Sequence, residues 1–261
     1  MKKQSDVKCG CVKFAKRASV FLKGAALVLC LATANHAAAQ SGPASVYLGS
    51  AGSYAVLASS TVTSTGPTVV NGDLGVWPGT AYVAGTPPAT VNGSVHAGDV
   101  IAQHAQASLL IAYNDAAGRS TAPIGVAGDL GGKTLSPGLY KSTSSLAITG
   151  TLTLHGSGVY IFQVGSSLTV GTGGTIVLSG GATAANVFWQ VGSSATLGTT
   201  ADFKGTIMAL ASVTMATGAK LNGRALALHG AVTLDSNDVT VPLLNAILVV
   251  LPPPPPPPHD D

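Results

Sequence analysis

The sequence predicts an all-β solenoid with one helix, and three observations predict it. The first is a seven-residue phrase that recurs five times: Ser144 to Gly150, Ser166 to Thr172, Ser193 to Thr199, Ala211 to Thr217 and Gly230 to Ser236. In each copy a pair of small residues leads into apolar, Thr (Ala in the first), apolar, then a small residue or turn-former, which is a strand alternating in, out, in. The second is the spacing of the central residues 147, 169, 196, 214 and 233, in steps of 22, 27, 18 and 19. Short strands punctuated by Gly at a period of about 20 residues mark stacked coils. The third is one segment, Val100 to Ala117, that contains neither Gly nor Pro in a chain with 33 glycines.

The first 39 residues read as a secretory signal peptide. Lys2, Lys3, Lys8, Lys13, Lys16, Arg17 and Lys23 precede an apolar run from Gly24 to Ala34, and Ala37-Ala38-Ala39 offers small residues for cleavage before Gln40. The run is shorter than the roughly 20 residues of a spanning helix. With 39 of 261 residues removed, 222 remain, the domain proper extending over 40–241. Seven of the thirteen basic residues and one of the ten acids leave with the leader, so six basic residues face nine acids at a net charge of −3. No basic patch then argues for nucleic acid, nor for membrane insertion. All three cysteines, Cys9, Cys11 and Cys30, leave too, so burial and backbone hydrogen bonds must hold the fold.

Charged residues make up only 9% of the chain, well under the usual quarter, and there is no Glu. The surface must therefore be covered by Ser, Thr, Ala and Gly. Leu48 to Gly98 reads as the first coils: Tyr54 to Leu57 and Thr61 to Thr63 have strand character, and Gly66-Pro67, Asn71-Gly72 and Trp77-Pro78-Gly79 mark turns. Gly72-Asp73-Leu74-Gly75 returns as Gly128-Asp129-Leu130-Gly131, each Asp being expected to accept backbone N–H bonds in a turn.

The helix is expected over about 99–118, with Asp99 as N-cap, Gly118 just past its end, and Val100, Ile101, Leu109, Leu110 and Tyr113 with many alanines as its apolar stripe. Eighteen residues at 1.5 Å span roughly 27 Å, close to five gaps of about 4.8 Å between coils, so the helix can lie along the stack. Val159 to Val164, Val187 to Val191, Ile207 to Leu210 and Ala225 to Leu228 are apolar on both parities, as strands covered on both faces are. One side of them faces the interior and the other the helix, leaving the threonine strands bare. After Val241-Pro242 the pattern weakens: Leu243 to Leu251 reads as a last strand or closing flap, and Pro252 to Pro258 as a polyproline II tail, within a C-terminal segment 242–261.

No catalytic, cofactor or metal site emerges, and the chain does not read as an enzyme. The acids of the mature chain do not repeat at one position of the coil, and the paired carboxylates of a glycosidase have their nearest counterpart within the coils in Asp235 and Asp238, in a terminal turn. The histidines show no HxH or HExxH spacing, and no Ser sits in a Gly-x-Ser-x-Gly elbow. A lyase would need a groove lined by Lys141, Lys204 or Arg224, all read as structural. What remains is the threonine column. One Thr on an outer strand is only a residue that suits the pleat. Three tandem copies of Thr-x-Gly/Ala-Thr, at 169–172, 196–199 and 214–217, form a lattice of methyl and hydroxyl groups that can hold ordered water against a regular ligand.

Tyr54-Ala55-Val56-Leu57-Ala58, Gly72 to Val76, Ala112 to Gly118, Leu135-Ser136-Pro137-Gly138-Leu139-Tyr140, Asn186 to Gly192 and Leu221-Asn222-Gly223-Arg224 are spread across the domain, and with them the chain resembles the secreted ice-binding proteins of the DUF3494 family from about Leu48 to Val241. The resemblance implies a right-handed, discontinuous β-helix of triangular cross-section, a long helix along one face, and an N-terminal coil that returns to lie beside the C-terminal one. It implies ice as the partner, contacted through a flat face free of the helix, with arrest of ice growth and recrystallisation. The strand centres carried over are Ala147, Thr169, Thr196, Thr214 and Thr233, the column reached from periodicity, with an N-terminal contribution at Ala84 and a flanking file of Thr172, Thr199 and Thr217. Alanine at 84 and 147 shortens the hydroxyl lattice. The expected protein is a secreted monomer, and the rival is an extracellular adhesion or carbohydrate-binding module on a proline stalk.

Overall fold

The computed structural model describes residues 42–242. The expected signal peptide, the Leu243 to Leu251 segment and the expected proline tail lie outside the described residues. Every strand pairing is parallel, and the strands fall into a 15-stranded and an 8-stranded sheet. The larger sheet turns a corner, because Asp202–Ala209 and Lys220–Ala227 each run continuously from one side of the coil to the next. Each coil therefore has three sides, and the chain is a β-solenoid with one helix.

The bend in those long strands falls on Gly205 and Gly223, which are register partners. Gly205 has φ 108°, and a Cβ on Gly223 would lie 1.9 Å from the Gly205 carbonyl oxygen. Two coils can turn here only if neither carries a side chain. The Asn222-Gly223-Arg224 part of the family motif thus has a steric cause.

The coils do not stack in chain order. Tyr54–Ala58 pairs with Lys220–Ala227, Thr61–Thr65 with Val232–Asp235, and Val69–Asn71 with Asp238–Thr240. The first coil is thus welded to the last, as the resemblance implied. Asp73–Val76, Ala81–Val83 and Thr90–Asn92 continue the stack beyond it.

Two apolar layers hold this arrangement. Inside the coils, Tyr140, Phe162 and Trp189 are successive register partners that stack face to face, at 5.0 Å and 3.8 Å between ring centroids, and Phe203 tilts against Trp189 at 5.2 Å. The opposite parity of the same strands, Leu139, Ile161 and Phe188, joins Leu57, Met208 and Leu226 beneath the helix. Both-parity apolar strands are covered on both faces, as read from the sequence.

The helix spans Val100–Gly118, and the Asp99 carboxylate accepts the Ala102 N–H at its start. Its buried face differs from the expected stripe. Ala102, Ala105, Gln106, Leu109, Ala112, Tyr113 and Ala116 face the sheet, whereas Val100, Ile101, Leu110 and Ile111 are exposed. Small alanines let the helix axis approach the sheet, and the larger side chains are turned outward. Gly118, expected beyond the end, is the last helical residue, with Arg119 extended after it at φ −68°.

The C-terminal carbonyls are instead capped from the sheet. Gln163 Nε2 donates to the carbonyls of Ala116, Ala117 and Arg119 at 2.8, 3.1 and 2.8 Å. The neighbouring Gln190 donates to the Tyr113 hydroxyl at 2.8 Å. Replacing Gln163 with Leu leaves the buried Ala116 carbonyl and the part-buried carbonyls of Ala117 and Arg119 without this donor, so Gln163→Leu is expected to cost about 1 kcal/mol or more. Hydrogen exchange should locate the loss in the last helical turn, and unchanged exchange there would refute the capping role.

Candidate functional site

The smaller sheet is a side of the coil that the helix does not cover. Its strands run in the order Ala81–Val83, Thr61–Thr65, Val232–Asp235, Val213–Met215, Ala195–Leu197, Leu168–Val170, Leu146–Ile148 and Gly128–Asp129. Leu, Val, Ile and Met on either side of each central residue are buried, which pins the register, since a slip of one residue would turn them into solvent.

The register places Ala147, Thr169, Thr196, Thr214 and Thr233 in one unbroken row of Cα partners. Thr169, Thr196 and Thr233 are exposed, and Ala147 and Thr214 half-buried. Two corrections follow at the N-terminal end. The partner of Thr233 is Thr63, and the partner of Thr63 is Val83, so the row continues through a threonine absent from the expected set and then through a valine. Ala84 is not in the row: it lies one residue past the strand, where its carbonyl accepts the Ala89 N–H of a turn. At the other end Asp129 is the partner of Ala147. Thr63 was legible as strand but not as column, because its partner stands 170 positions away in the chain.

Two files flank the row. Thr172, Thr199 and Thr217 are exposed at the corner, just after Gly171, Gly198 and Ala216, whose N–H groups bond the preceding coil at 2.9 Å each. On the other flank, Ser145 and Ser167 hydroxyls bond each other at 2.9 Å, and those of Ser194 and Ser212 accept N–H bonds from the next coil at 3.3 Å. The serines therefore fasten coil to coil. By contrast the hydroxyls of Thr169, Thr196, Thr214 and Thr233 engage no other protein group among the described residues, and they face outward with their hydrogen-bonding capacity unspent. Thr217 differs from its file, because its hydroxyl donates to the Asp235 carboxylate.

The strands of this side carry only two charged residues, Asp129 as the partner of Ala147 at the end of the row and Asp235 at the end of its strand. Asp129 accepts from the Thr149 hydroxyl and from the N–H groups of Gly131 and Thr149, the turn role expected of it. The Thr149 hydroxyl, then these backbone donors, hold its carboxyl below the usual value of 3.8, and the Thr217 hydroxyl does the same for Asp235. Groups lowered in this way stabilise the fold above pH 3.8 and lose that contribution as pH falls below it through their folded values. The melting temperature is expected to stay level on acidification to about pH 5 and to drop below about pH 4, with part of the drop absent in Asp235→Asn. An unchanged acid profile in that variant would contradict the assignment. Both carboxylates are solvent-exposed, so the effect is small.

The described residues hold no cluster of three His, Cys, Asp or Glu side chains able to share a metal ion. Lys141, Lys204 and Arg224, the side chains a lyase groove would need, are not brought together: Lys141 is exposed, Lys204 pairs with Asp202 at 2.5 Å on the third side, and Arg224 is buried near Gly52. No described helix is long and apolar enough to cross a membrane.

Fold and site together define a class of protein: a parallel β-solenoid that presents a row of threonines on one side and keeps its helix on another. Residues 56–240 match the family described as Ice-binding-like. The chain is 46% identical over 198 residues to an ice-binding protein of Nostoc sp. (strain HG1), covering 74% of this chain and 73% of that one. It is 38% identical over 213 residues to an ice-binding protein of Flavobacterium frigoris (strain PS1), covering 76% of each. The crystal structure of an ice-binding protein from an Antarctic biological consortium superposes with a TM-score of 0.75 at 48% identity, over 78% of this chain and 94% of that one. That of the ascomycete Antarctomyces psychrotrophicus gives 0.73 at 39%, over 76% and 98%. The chain belongs to the ice-binding-like family, a non-enzymatic one.

Proposed function

We propose that this chain is secreted as a monomer and adsorbs to ice through the threonine side, stopping crystal growth and recrystallisation. The observation that carries the reading is the row Thr169, Thr196, Thr214, Thr233 and Thr63, held in register by the ladder with the first four hydroxyls unengaged by protein. Adjacent coils space the row by about 4.8 Å, and the backbone fixes each methyl and hydroxyl before contact, so little ordering entropy is lost on adsorption. Thr172 and Thr199 widen the array on one flank. Ala147 and Val83 extend it with methyl groups, which keep a contact surface without adding a donor.

The test is microscopy of single ice crystals growing in a solution of the mature chain, recording the freezing-point gap and the crystal shape. Faceted or arrested crystals are expected. Round crystals that grow freely would overturn the reading and send the same face to a glycan-binding screen. The row also makes a finer distinction: Thr63→Tyr is expected to weaken adsorption by about 1 kcal/mol or more, the threshold of a measurable interface contact. Ala84→Tyr, off the row, should leave the gap nearly unchanged, and equal losses in both would contradict the register.

A further inference from the structure

Beside the helix lies a groove of about 380 Å3, at the lower end of the range of about 300–1,000 Å3 typical of ligand pockets. Gln103, Gln106, Ala107 and Leu110, one stripe of the helix, form one wall, and Trp77 and His229 stand on the other. That second wall is fixed by backbone bonds. The Trp77 N–H donates to the Ala58 carbonyl at 3.0 Å, and the Gly79 N–H to the Ser59 carbonyl at 2.8 Å. A Cβ on Gly79 would stand 1.8 Å from the Ser60 carbonyl oxygen, so the Trp77-Pro78-Gly79 turn is pressed onto the neighbouring coil. It holds Trp77 half-buried at the groove, whereas the chain's other tryptophan, Trp189, is fully buried in the core.

The chemistry of the groove is mixed and uncharged. No Lys, Arg, Asp or Glu lines it. Gln106 is 9% exposed, and its Nε2 donates to the Ala227 carbonyl at 3.2 Å. Its Oε1 accepts no bond from a described residue, yet it is not one of the fully enclosed atoms left without a partner, so it is open to the groove. The Trp77 indole N–H has no partner among the described residues either. An acceptor and a donor are thus available beside an indole and a leucine, and the exposed Gln103 and His229 add further polar atoms.

We propose that this groove binds a neutral glycan, with a sugar ring lying against Trp77 and one of its hydroxyls donating to Gln106 Oε1. A sugar ring has the matching chemistry: C–H faces that pack on an indole, and hydroxyls that both donate and accept. A proline-rich peptide, another occupant of aromatic-lined grooves, offers carbonyl acceptors but no proline N–H, and so leaves Gln106 Oε1 without a donor. The absence of charged walls disfavours acidic and basic ligands alike. Leu228 and His229 follow the strand Lys220–Ala227 and precede Val232–Asp235, so the groove lies at a corner beside the helix and off the threonine row. The glycan site does not depend on ice binding, and a molecule with both sites can hold a glycan matrix and a crystal together.

Because Trp189 is sealed in the core, a ligand-induced change in tryptophan fluorescence reports Trp77. Cellohexaose, maltohexaose and mannohexaose are titrated into the mature chain, and at least one should change the fluorescence saturably, with a Kd of about 1 mM or tighter that calorimetry reproduces. Trp77→Ala is expected to weaken that binding about tenfold or more in calorimetry. Ala107→Tyr fills the groove from an exposed helix position, and should cause a similar loss at unchanged melting temperature, so a misfolded Trp77 variant cannot imitate the result. No saturable change with any of the three sugars would overturn the proposal. Binding retained in Ala107→Tyr would overturn the assignment to this groove, and tighter binding of a decaproline peptide would overturn it in favour of a peptide ligand.

Discussion

Thr196→Tyr is expected to abolish most of the ice activity while leaving the fold intact. Thr196 is exposed at the middle of the sheet, with Thr169 on one side and Thr214 on the other as register partners. A tyrosine there stands above the plane of its neighbours and holds the whole face off a flat crystal, so one substitution removes the contacts of several residues. The loss should resemble that of a central hot spot, about 2 kcal/mol or more, or roughly thirtyfold in affinity. Stability should barely move, because Ala195 and Leu197 carry the burial and the Thr196 hydroxyl bonds no protein group. The measurement is the freezing-point gap together with the melting temperature. A retained gap at full stability would sink the assignment of this side, whereas loss of both would mean that the fold had failed.

How much of this was readable beforehand depended on whether a feature is local. The alternation around Thr169, Thr196, Thr214 and Thr233 is written within each phrase, and coils successive in sequence are also successive in the stack, so periodicity alone aligned that part of the row. Thr63 escaped because the first coil joins the last, and the periodicity of the phrases says nothing about a strand 170 positions away. Ala84 was placed from a resemblance of pattern, and the ladder shifts the row by one residue, to Val83. The helix was found by its lack of Gly and Pro, and of its expected stripe Leu109, Tyr113 and the alanines face the sheet whereas Val100, Ile101 and Leu110 do not. Close approach to the sheet favours the small Ala102, Ala105, Ala112 and Ala116 over the larger Val100, Ile101 and Leu110. Its C-terminal cap was invisible, since Gln163 belongs to a strand and lies 45 positions from Gly118. The Gly205 and Gly223 pair belonged to no turn signal, because each lies inside a continuous strand.

Trp189→Ala is expected to have the largest effect on stability. Trp189 is fully buried, stacks on Phe162 at 3.8 Å between centroids, touches Phe203, and donates its indole N–H to the Lys204 carbonyl at 3.2 Å. Removing the ring leaves a cavity between two rigid coils that cannot close without breaking ladder bonds, so the cost should fall at about 3–5 kcal/mol, roughly 10 °C of melting temperature for a domain of this size. Ordinary solenoids answer such a lesion locally, because each repeat touches only its neighbours. Here the N-terminal coil is paired with the C-terminal one along all three sides, so unfolding the last coils also unseats the first. The helix adds a second tie: Gln190, the residue after Trp189, bonds Tyr113, and Gln163 holds the helix end. A single cooperative transition at lower temperature is therefore expected, with the threonine row still in register at the freezing point. Two separate transitions in calorimetry would show that the welded coils unfold independently, and would remove the argument that this topology keeps the row rigid.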